Sequence, residues 1–355
     1  MITYLSFRNF RGFQLLELDD LKQITLLSGK NNVGKSSALE GAFLLLDHVN
    51  PQSFTKINAF RGNTVIPVST SLWEVVFYQM DTKQPLEIKA VFDGEPSALR
   101  YLRDDSFVPS DPSILPDIMN QFVSAAKESY TLKYTFNKGK YQEEGHFVIN
   151  QSSLFRNIKT TEKNNFIEPL PHTQFINHLI ATSDADVVGW FGKMELAGNK
   201  QLVIDALKII DPSIADISTI AINGVVQLYG KMGDQLMPLK LLGDGVNRLL
   251  YMVLSMIGNP NSIILIDEIE TGFHYSLQEK LWDVIAKTAL EFNCQIIATT
   301  HSYECIAGAL EGIADAGAQN SFCYYRLDKE GAAHQANRFN HDLLATATAS
   351  DMEVR

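Results

Sequence analysis

Cysteine is scarce in this chain, with three among 355 residues, at Cys294, Cys305 and Cys323. Their spacing matches no zinc or cluster ligand pattern and offers no disulfide framework, so buried free thiols in a reducing compartment are expected. Long apolar runs are missing as well. No segment approaches the ~20 apolar residues of a membrane-spanning helix. The N-terminal MITYLSFRNFRGF is broken by charge and does not read as a secretory leader, so a cytoplasmic location is expected, with no membrane partner. Basic excess is also absent. With 30 Lys and Arg against 41 Asp and Glu, the net charge is −11. That excludes a surface coated for nucleic acid and leaves room only for a local basic groove. There is no low-complexity tract, long linker, fixed-period repeat or sustained heptad, which excludes a long coiled-coil arm. What remains is globular: 45% apolar and 20% charged, long enough to bury a sizeable core.

Both ends of the chain alternate between strand and helix patterns. ITYLSFRNF and LLELDDLKQITLLSG read as strands, SSALEGAFLLLDHV as a helix, and SLWEVVFY with LEIKAVF as two strands joined by QMDTKQP. In the middle, SILPDIMNQFVSAAKE is helix-like, YTLKYTFNKGKYQEEGHFVI reads as a hairpin turning at Asn137-Lys138-Gly139, and NKQLVIDALKII is a helix stopped before Asp211-Pro212. From Leu239 onward the order is helix (VNRLLYMVLSMIG), strand (SIILIDE), helix (SLQEKLWDVIAKTALEF) and strand (QIIATT). The expected organisation is one nucleotide-binding α/β core from residues 1–95 and 235–355. Residues 96–234 form an inserted helical and hairpin region.

The stretch LLSGKNNVGKSSALE spans Gly29, Lys30, Asn31, Asn32, Val33, Gly34, Lys35, Ser36 and Ser37 and carries the G-x4-G-K-S spacing. It follows an apolar strand and opens a helix, the context in which this spacing cradles phosphate. Glycines let the backbone wrap closely, and successive N–H groups point inward at the helix start. Lys35 is expected to reach the β and γ phosphates and Ser36 to ligate Mg²⁺. In SIILIDEIETGFHYS, a hydrophobic strand presents Asp267 and Glu268 at its C-terminal end, where ligands bind in open α/β sheets. Asp267 suits a Mg²⁺ ligand, and Glu268 suits the group that orients and polarises an attacking water, since phosphoryl transfer depends mainly on positioning. His301 follows another apolar strand in QIIATTHSYE and fits a contact to the transferred phosphate.

Together, NFRGF, GKNNVGKSS, LLGDGVNRLL, LIDEIETGFHYS and ATTHSYE resemble the ATP-binding-cassette (ABC) type ATPases of the SMC, Rad50 and RecF group. The closer resemblance is to their compact bacterial relatives, the overcoming-lysogenization-defect (OLD-like) ATPases of phage-defence systems. The terminal YYRLDKEG and EVR fit the same pattern. The resemblance implies a P-loop α/β fold: an ABC-type head with a mixed sheet flanked by helices, an antiparallel β lobe, and an inserted α+β region. It also implies binding and hydrolysis of ATP with Mg²⁺.

In that family a signature just upstream of the Asp-Glu strand completes the site of a second subunit. Here Leu242, Gly243, Asp244 and Gly245 occupy its place. Small residues at a helix start permit close approach to an anion. Gly243 replaces the family's serine, so a hydroxyl donor is missing, and Asp244 replaces a glycine, which resembles the form found in the compact defence-type relatives. An ordinary turn is the competing reading of this stretch. Gln79 and Gln84 both fall where the family has a glutamine completing the Mg²⁺ shell, and a plain surface amide is the other reading. Arg11 and Arg61 resemble arginines that approach phosphate or DNA, with surface arginines as the alternative. His274 reads equally as a dimer-interface or a surface residue.

The resemblance implies an ATP-sandwiched homodimer at least. It further implies a sensor or scaffold in anti-phage defence that works with a separately encoded effector, a nuclease by expectation. The short stretch after His301 has no Asp-x-Asp cluster, so the chain is expected to have no nuclease activity of its own. The alternative is a DNA-clamping ATPase of RecF or Rad50 type. Residues 127–163 hold Lys127, Lys133, Lys138, Lys140, Arg156, Lys159 and Lys163 among Tyr130, Tyr134, Phe136 and Tyr141, a mix able to stack on and neutralise DNA or RNA. Glutamates in the same window dilute it, and a solvated hairpin is the competing reading. A transporter motor subunit ranks third.

Overall fold

Buried apolar residues anchor the first two strands, and a run of six buried residues sets the third inside a sheet. The computed structural model describes residues 1–50, 52–62, 71–107, 130–149, 154–160, 170–177, 184–350 and 352–355. In chain order these form β1 (Ile2–Phe10), β2 (Phe13–Asp19), β3 (Ile24–Gly29), α1 (Lys35–Leu46), α2 (Ser53–Ala59), α3 (Ser71–Glu74), β4 (Leu86–Phe92), β5 (Glu95–Arg103), β6 (Tyr130–Lys138), β7 (Tyr141–Ile149), β8 (Leu154–Thr160) and β9 (Thr173–Ile176). Then follow α4 (Asp184–Leu196), α5 (Lys200–Lys208), β10 (Ile214–Ile222), β11 (Val225–Met232), β12 (Gln235–Pro238), α6 (Asp244–Ile257), β13 (Ile263–Ile266), α7 (Gln278–Glu291), β14 (Gln295–Thr299), α8 (Tyr303–Asp315), β15 (Phe322–Glu330), β16 (Ala333–Asn340) and α9 (His341–Ala349).

The chain divides into two compact units. The first comprises Met1–Leu21, Asn32–Leu170 and Leu327–Ala336. Its sheet has the order β2-β1-β4-β5-β6-β7-β8 with every pairing antiparallel. Phe7, Phe10 and Phe13 cluster on it with ring centroids about 6 Å apart. Helix α1 comes close because Gly41 has no side chain: a Cβ there would lie 2.5 Å from the Phe7 ring.

The second unit comprises Lys22–Asn31, Pro171–Arg326 and Asn337–Arg355. A six-stranded sheet runs in the order β16-β15-β3-β14-β13-β9, and the pairs β3–β14, β14–β13 and β13–β9 are parallel. Strands β10, β11 and β12 form a separate antiparallel sheet. The core joins Ile24 and Leu26 of β3 to Leu249 and Met256 of α6, and to Trp282 and Ile285 of α7. Helix α8 packs on α7 through Gly308 and Gly312, whose absent side chains would collide with α7 backbone. All three cysteines are free and buried, and burial pushes the Cys305 thiol up to about 12.

Three expectations shift. SLWEVVFY is not a strand: Ser71–Glu74 is helical, Tyr78–Met80 is a 3-10 turn, and Phe77 makes only an isolated bridge to Phe10. The reason is visible in the burial. Trp73, Val76 and Phe77 are all buried, and their i, i+3, i+4 spacing is a helical period, not an alternation. The hairpin turns one residue later than expected, at Gly139-Lys140, with Gly139 at φ 55°. Residues 96–234, read as one insertion, feed both units: β5 to β8 extend the first sheet, while β9, α4, α5, β10 and β11 belong to the second unit. The helix expected over SILPDIMNQFVSAAKE lies outside the described residues.

Two predictions follow from this packing. Gly312→Ala forces a methyl into the α7 backbone and should lower stability by about 2 kcal/mol or more in urea unfolding, whereas Gly317→Ala, with open space around it, tests only the strain of its positive φ. The buried thiols should stay unmodified by a water-soluble disulfide reagent in the folded chain and react together on unfolding.

Candidate functional site

Strands β3, β14 and β13 are parallel neighbours, so their C-terminal ends share one edge of the sheet. Leu27 pairs with Thr299, and Ala298 pairs with Ile266. Within two residues of those pairs the chain leaves the sheet as Gly29, as His301, and as Asp267-Glu268. This is the edge at which parallel sheets bind ligands.

Asp267 and Glu268 are held by neighbours that sequence reading did not assign. The buried Thr299 hydroxyl donates to Asp267 Oδ1 at 2.6 Å and accepts the Glu268 backbone N–H at 2.9 Å. Asp267 N donates to Ile176 O at 2.8 Å and Ile269 N to Thr299 O at 3.0 Å. Arg248, one turn into α6, donates to the carbonyls of both Asp267 and Glu268 at 2.7 and 2.8 Å. Burial pushes its guanidinium below the ordinary value, opposed by the charges of Glu270, Asp267 and Glu268. Glu268 sits at φ 50°, a left-handed conformation that costs a side-chain-bearing residue of order 1 kcal/mol. The surrounding bonds hold it there.

His301 stands just before the N-cap of α8, where the Ser302 hydroxyl accepts from Cys305 N at 3.1 Å. Its ring is half exposed. Glu270 Oε1 accepts the His301 backbone N–H at 2.9 Å and lies 3.0 Å from ring Nδ1. Nothing in the sequence singled out Glu270.

At the start of α6, Gly243 is the N-cap at φ 97°, exposed, with nothing within 4 Å of where a Cβ would stand. Asp244 is exposed in the first helical turn, where an acid complements the helix's positive end. Leu242 packs against the core. Gly245 has a reason within its own chain: a Cβ would lie 2.7 Å from Gly272 O. The glycine lets α6 rest on the turn that follows Glu268. His274 is exposed and caps Tyr275–Leu277 by accepting from Ser276 N.

The phosphate-loop residues show a tight local turn: Gly29, Asn32 and Gly34 have φ of 138°, 63° and 101°. Lys30 and Asn31 are exposed, Val33 is buried, and Lys35 and Ser36 are half buried. The first turn of α1 carries no acid, so its positive end is left for an anion. Gly34 also needs its lack of side chain, since a Cβ would collide with the Phe13 ring. Deeper in the first unit, buried Glu40 accepts from Arg11 Nε at 2.9 Å and Arg61 Nε at 2.6 Å. Arg11 also donates to Asn58 at 3.0 Å, and Arg61 to the Ser37 hydroxyl at 3.0 Å. Arg11 and Ser37 are thus tied into a buried polar cluster behind the loop. Gln79 is exposed in a 3-10 turn at φ 51°, its amide donating to the Tyr78 hydroxyl. Gln84 is exposed too.

In the basic window, Tyr134 and Phe136 are buried in the first sheet, and the Tyr134 and Tyr141 hydroxyls both donate to Glu143. Lys133 pairs with Glu144 at 3.2 Å. These rings are spent on the core. Lys127 and Lys163 lie outside the described residues. Among the described residues no three His, Cys, Asp or Glu side chains converge on a metal position, and no helix is long and apolar enough to cross a membrane. The Asp267 carboxylate in the second unit and the Ser36 hydroxyl in the first are each hard oxygen donors of the kind Mg²⁺ takes.

A family model described as AAA ATPase domain matches residues 1–184 and 193–306. An ATP/GTP phosphatase of Helicobacter pylori is 24% identical over 331 residues, covering 86% of each chain. ATP-binding cassette sub-family A member 9 of Homo sapiens is 41% identical over 83 residues, which are 23% of this chain and 5% of that protein. An SMC head bound to the C-winged helix domain of ScpA matches over 96% of this chain and 97% of that one, at TM-score 0.52 and 12% identity. The Smc head from Pyrococcus furiosus, bound to the C-terminal domain of ScpA, matches over 98% of each at TM-score 0.52 and 10% identity. The fold is that of an SMC head.

Thr299→Val keeps the shape of the side chain and removes the hydroxyl between Asp267 and Glu268. It should lower stability by about 2 kcal/mol in urea unfolding, while Thr299→Ser loses less. Glu40→Gln leaves the buried Arg11 charge without its counter-charge and should cost about 3 kcal/mol, mostly through Arg11, because the Arg61 side chain is 43% exposed.

Proposed function

The chain belongs to the AAA ATPase domain family and is an ATPase of the SMC-head type; from that premise we propose that it hydrolyses ATP with Mg²⁺ in a site that a second copy of itself completes. The observation that carries the reading is the shared strand edge, which brings the start of the phosphate loop, the Asp267-Glu268 pair and His301 to one side of one sheet. Gly29 to Ser37 wrap the phosphates by backbone N–H groups, and Lys35 neutralises the β and γ phosphates. Ser36 and Asp267 would hold Mg²⁺, with Gln79 as a further candidate, and the ion would supply positive charge beside the phosphates. Glu268 orients and polarises the attacking water, and His301 contacts the γ phosphate. Arg11 acts behind the loop through Glu40.

Gly243, Asp244 and Gly245, preceded by Leu242, serve the partner's ATP. Support comes from the exposed helix start and the open space at Gly243. Closure that depends on the γ phosphate makes ATP hold the dimer and hydrolysis release it. We place this cycle in a cytoplasmic sensor or scaffold of anti-phage defence, acting with a separately encoded effector, a nuclease. The family resemblance supports this, and so does the SMC head bound to a segment of another protein. The alternative is a DNA clamp of repair type, and turnover stimulated severalfold by DNA would favour it. Its stacking platform is weakened by the burial of Tyr134 and Phe136.

The test uses two variants, each inactive alone. Lys35→Ala loses ATP binding, and Gly243→Trp blocks the helix start that serves the partner. Mixed in equal amounts, they should regain about a quarter of the wild-type rate, because half of randomly formed dimers hold one intact site of two. No recovery on mixing would contradict a site shared between subunits. In the same assay Glu268→Gln should bind ATP yet turn it over about 100-fold or more slowly.

A further inference from the structure

Glu270 belongs to none of the roles assigned so far, yet its placement is unusual. Its side chain is only 10% exposed, although a surface loop carries it. One carboxylate oxygen, Oε1, accepts the His301 backbone N–H at 2.9 Å and lies 3.0 Å from ring Nδ1 as an ion-pair contact. The other, Oε2, is buried without a hydrogen-bond partner. Burying a carboxylate is expensive unless its charge is used. The positive charge that bears on it is Arg248, for which Glu270 is the foremost neighbouring carboxylate.

The chemistry of this contact restricts the histidine. A carboxylate oxygen offers only lone pairs, so it favours a proton on the ring nitrogen 3.0 Å away. With Nδ1–H on the Glu270 side, Nε2 is the working end of the half-exposed ring. To donate to a phosphate oxygen, Nε2 must be protonated as well, which makes the ring a cation. A neutral ring without Glu270 is free to take either tautomer and to turn.

We propose that Glu270 is the positioning residue of His301: it holds the Nδ1 side of the ring and turns Nε2 toward the γ phosphate. This rests on the reading of His301 as the phosphate contact. The effect should appear in kcat, because an oriented donor matters most as charge moves in the transition state, and much less in KM. A mere bracket for the loop, holding only the His301 backbone N–H, would change stability and leave both kinetic constants alone.

Ring nitrogen-15 NMR of the full chain reads the tautomer directly and needs no variant: Nδ1 protonated in the wild type is expected, and a ring protonated only on Nε2 overturns the proposal. Kinetics supply the second arm. Glu270→Gln keeps an acceptor for the backbone N–H and removes the charge. Its kcat should fall about tenfold, a typical loss for a residue that orients another, with KM within about twofold. In the His301→Ala background the same substitution should have no further effect, as expected for two residues acting as one unit. A wild-type kcat for Glu270→Gln, or an equal loss in both backgrounds, overturns the role of Glu270 while leaving His301 in place. A wild-type kcat for His301→Ala instead overturns the phosphate contact itself, and Glu270 with it.

Discussion

A single buried hydroxyl holds the chemistry of this chain in register. Thr299 ends the strand that lies between β3 and β13, pairing with Leu27 on one side and following Ala298, which pairs with Ile266, on the other. Its hydroxyl donates to the Asp267 carboxylate and accepts from the Glu268 amide. The bond is charge-assisted and partly buried, the class worth about 1.5–3 kcal/mol. Without it Asp267 would lose its orientation and Glu268 its support in a left-handed conformation. The parallel pairing brings the three strands to a common edge, and this hydroxyl sets the two acids within it.

Around that point the unit is tied together from helix α6. Arg248 reaches the carbonyls of both acids, and Gly245 lets the same helix rest on the Gly272 carbonyl just beyond them. The start of α6 and the turn after Glu268 therefore behave as one mechanical piece. A ligand held at Gly243 and a change at Glu268 bear on the same contacts. In the proposed dimer, this would couple a helix start that serves one nucleotide to the acids its own chain presents for another.

The sequence was legible where local pattern and chemistry coincide. The phosphate loop needed only its spacing, the apolar strand before it and the helix after it. The place of Asp267 and Glu268 just past β13 was readable because an apolar strand ends in acid. Thr299, Arg248 and Glu270 were not, because each acts through a neighbour about 20 to 30 residues away, and nothing in a single sequence reports pairing across strands. Trp73, Val76 and Phe77 were misread because apolar, β-branched and aromatic content suggested a strand, while their spacing already carried the helical period. Tyr134 and Phe136 looked like a platform for bases until the sheet buried them. Gly245 was read for a partner's phosphate, and its first necessity turns out to be a close approach to Gly272 within its own chain.

The central claim is that ATP joins two copies of this chain through the start of α6. The most direct measurement is the mass of purified Glu268→Gln by light scattering, with and without ATP and Mg²⁺. A doubling of mass that appears with ATP and is lost in Glu268→Gln carrying Gly243→Trp is the result this account predicts. A single-chain mass in every condition would contradict it, and would make LLGDGVNRLL an ordinary turn before a helix.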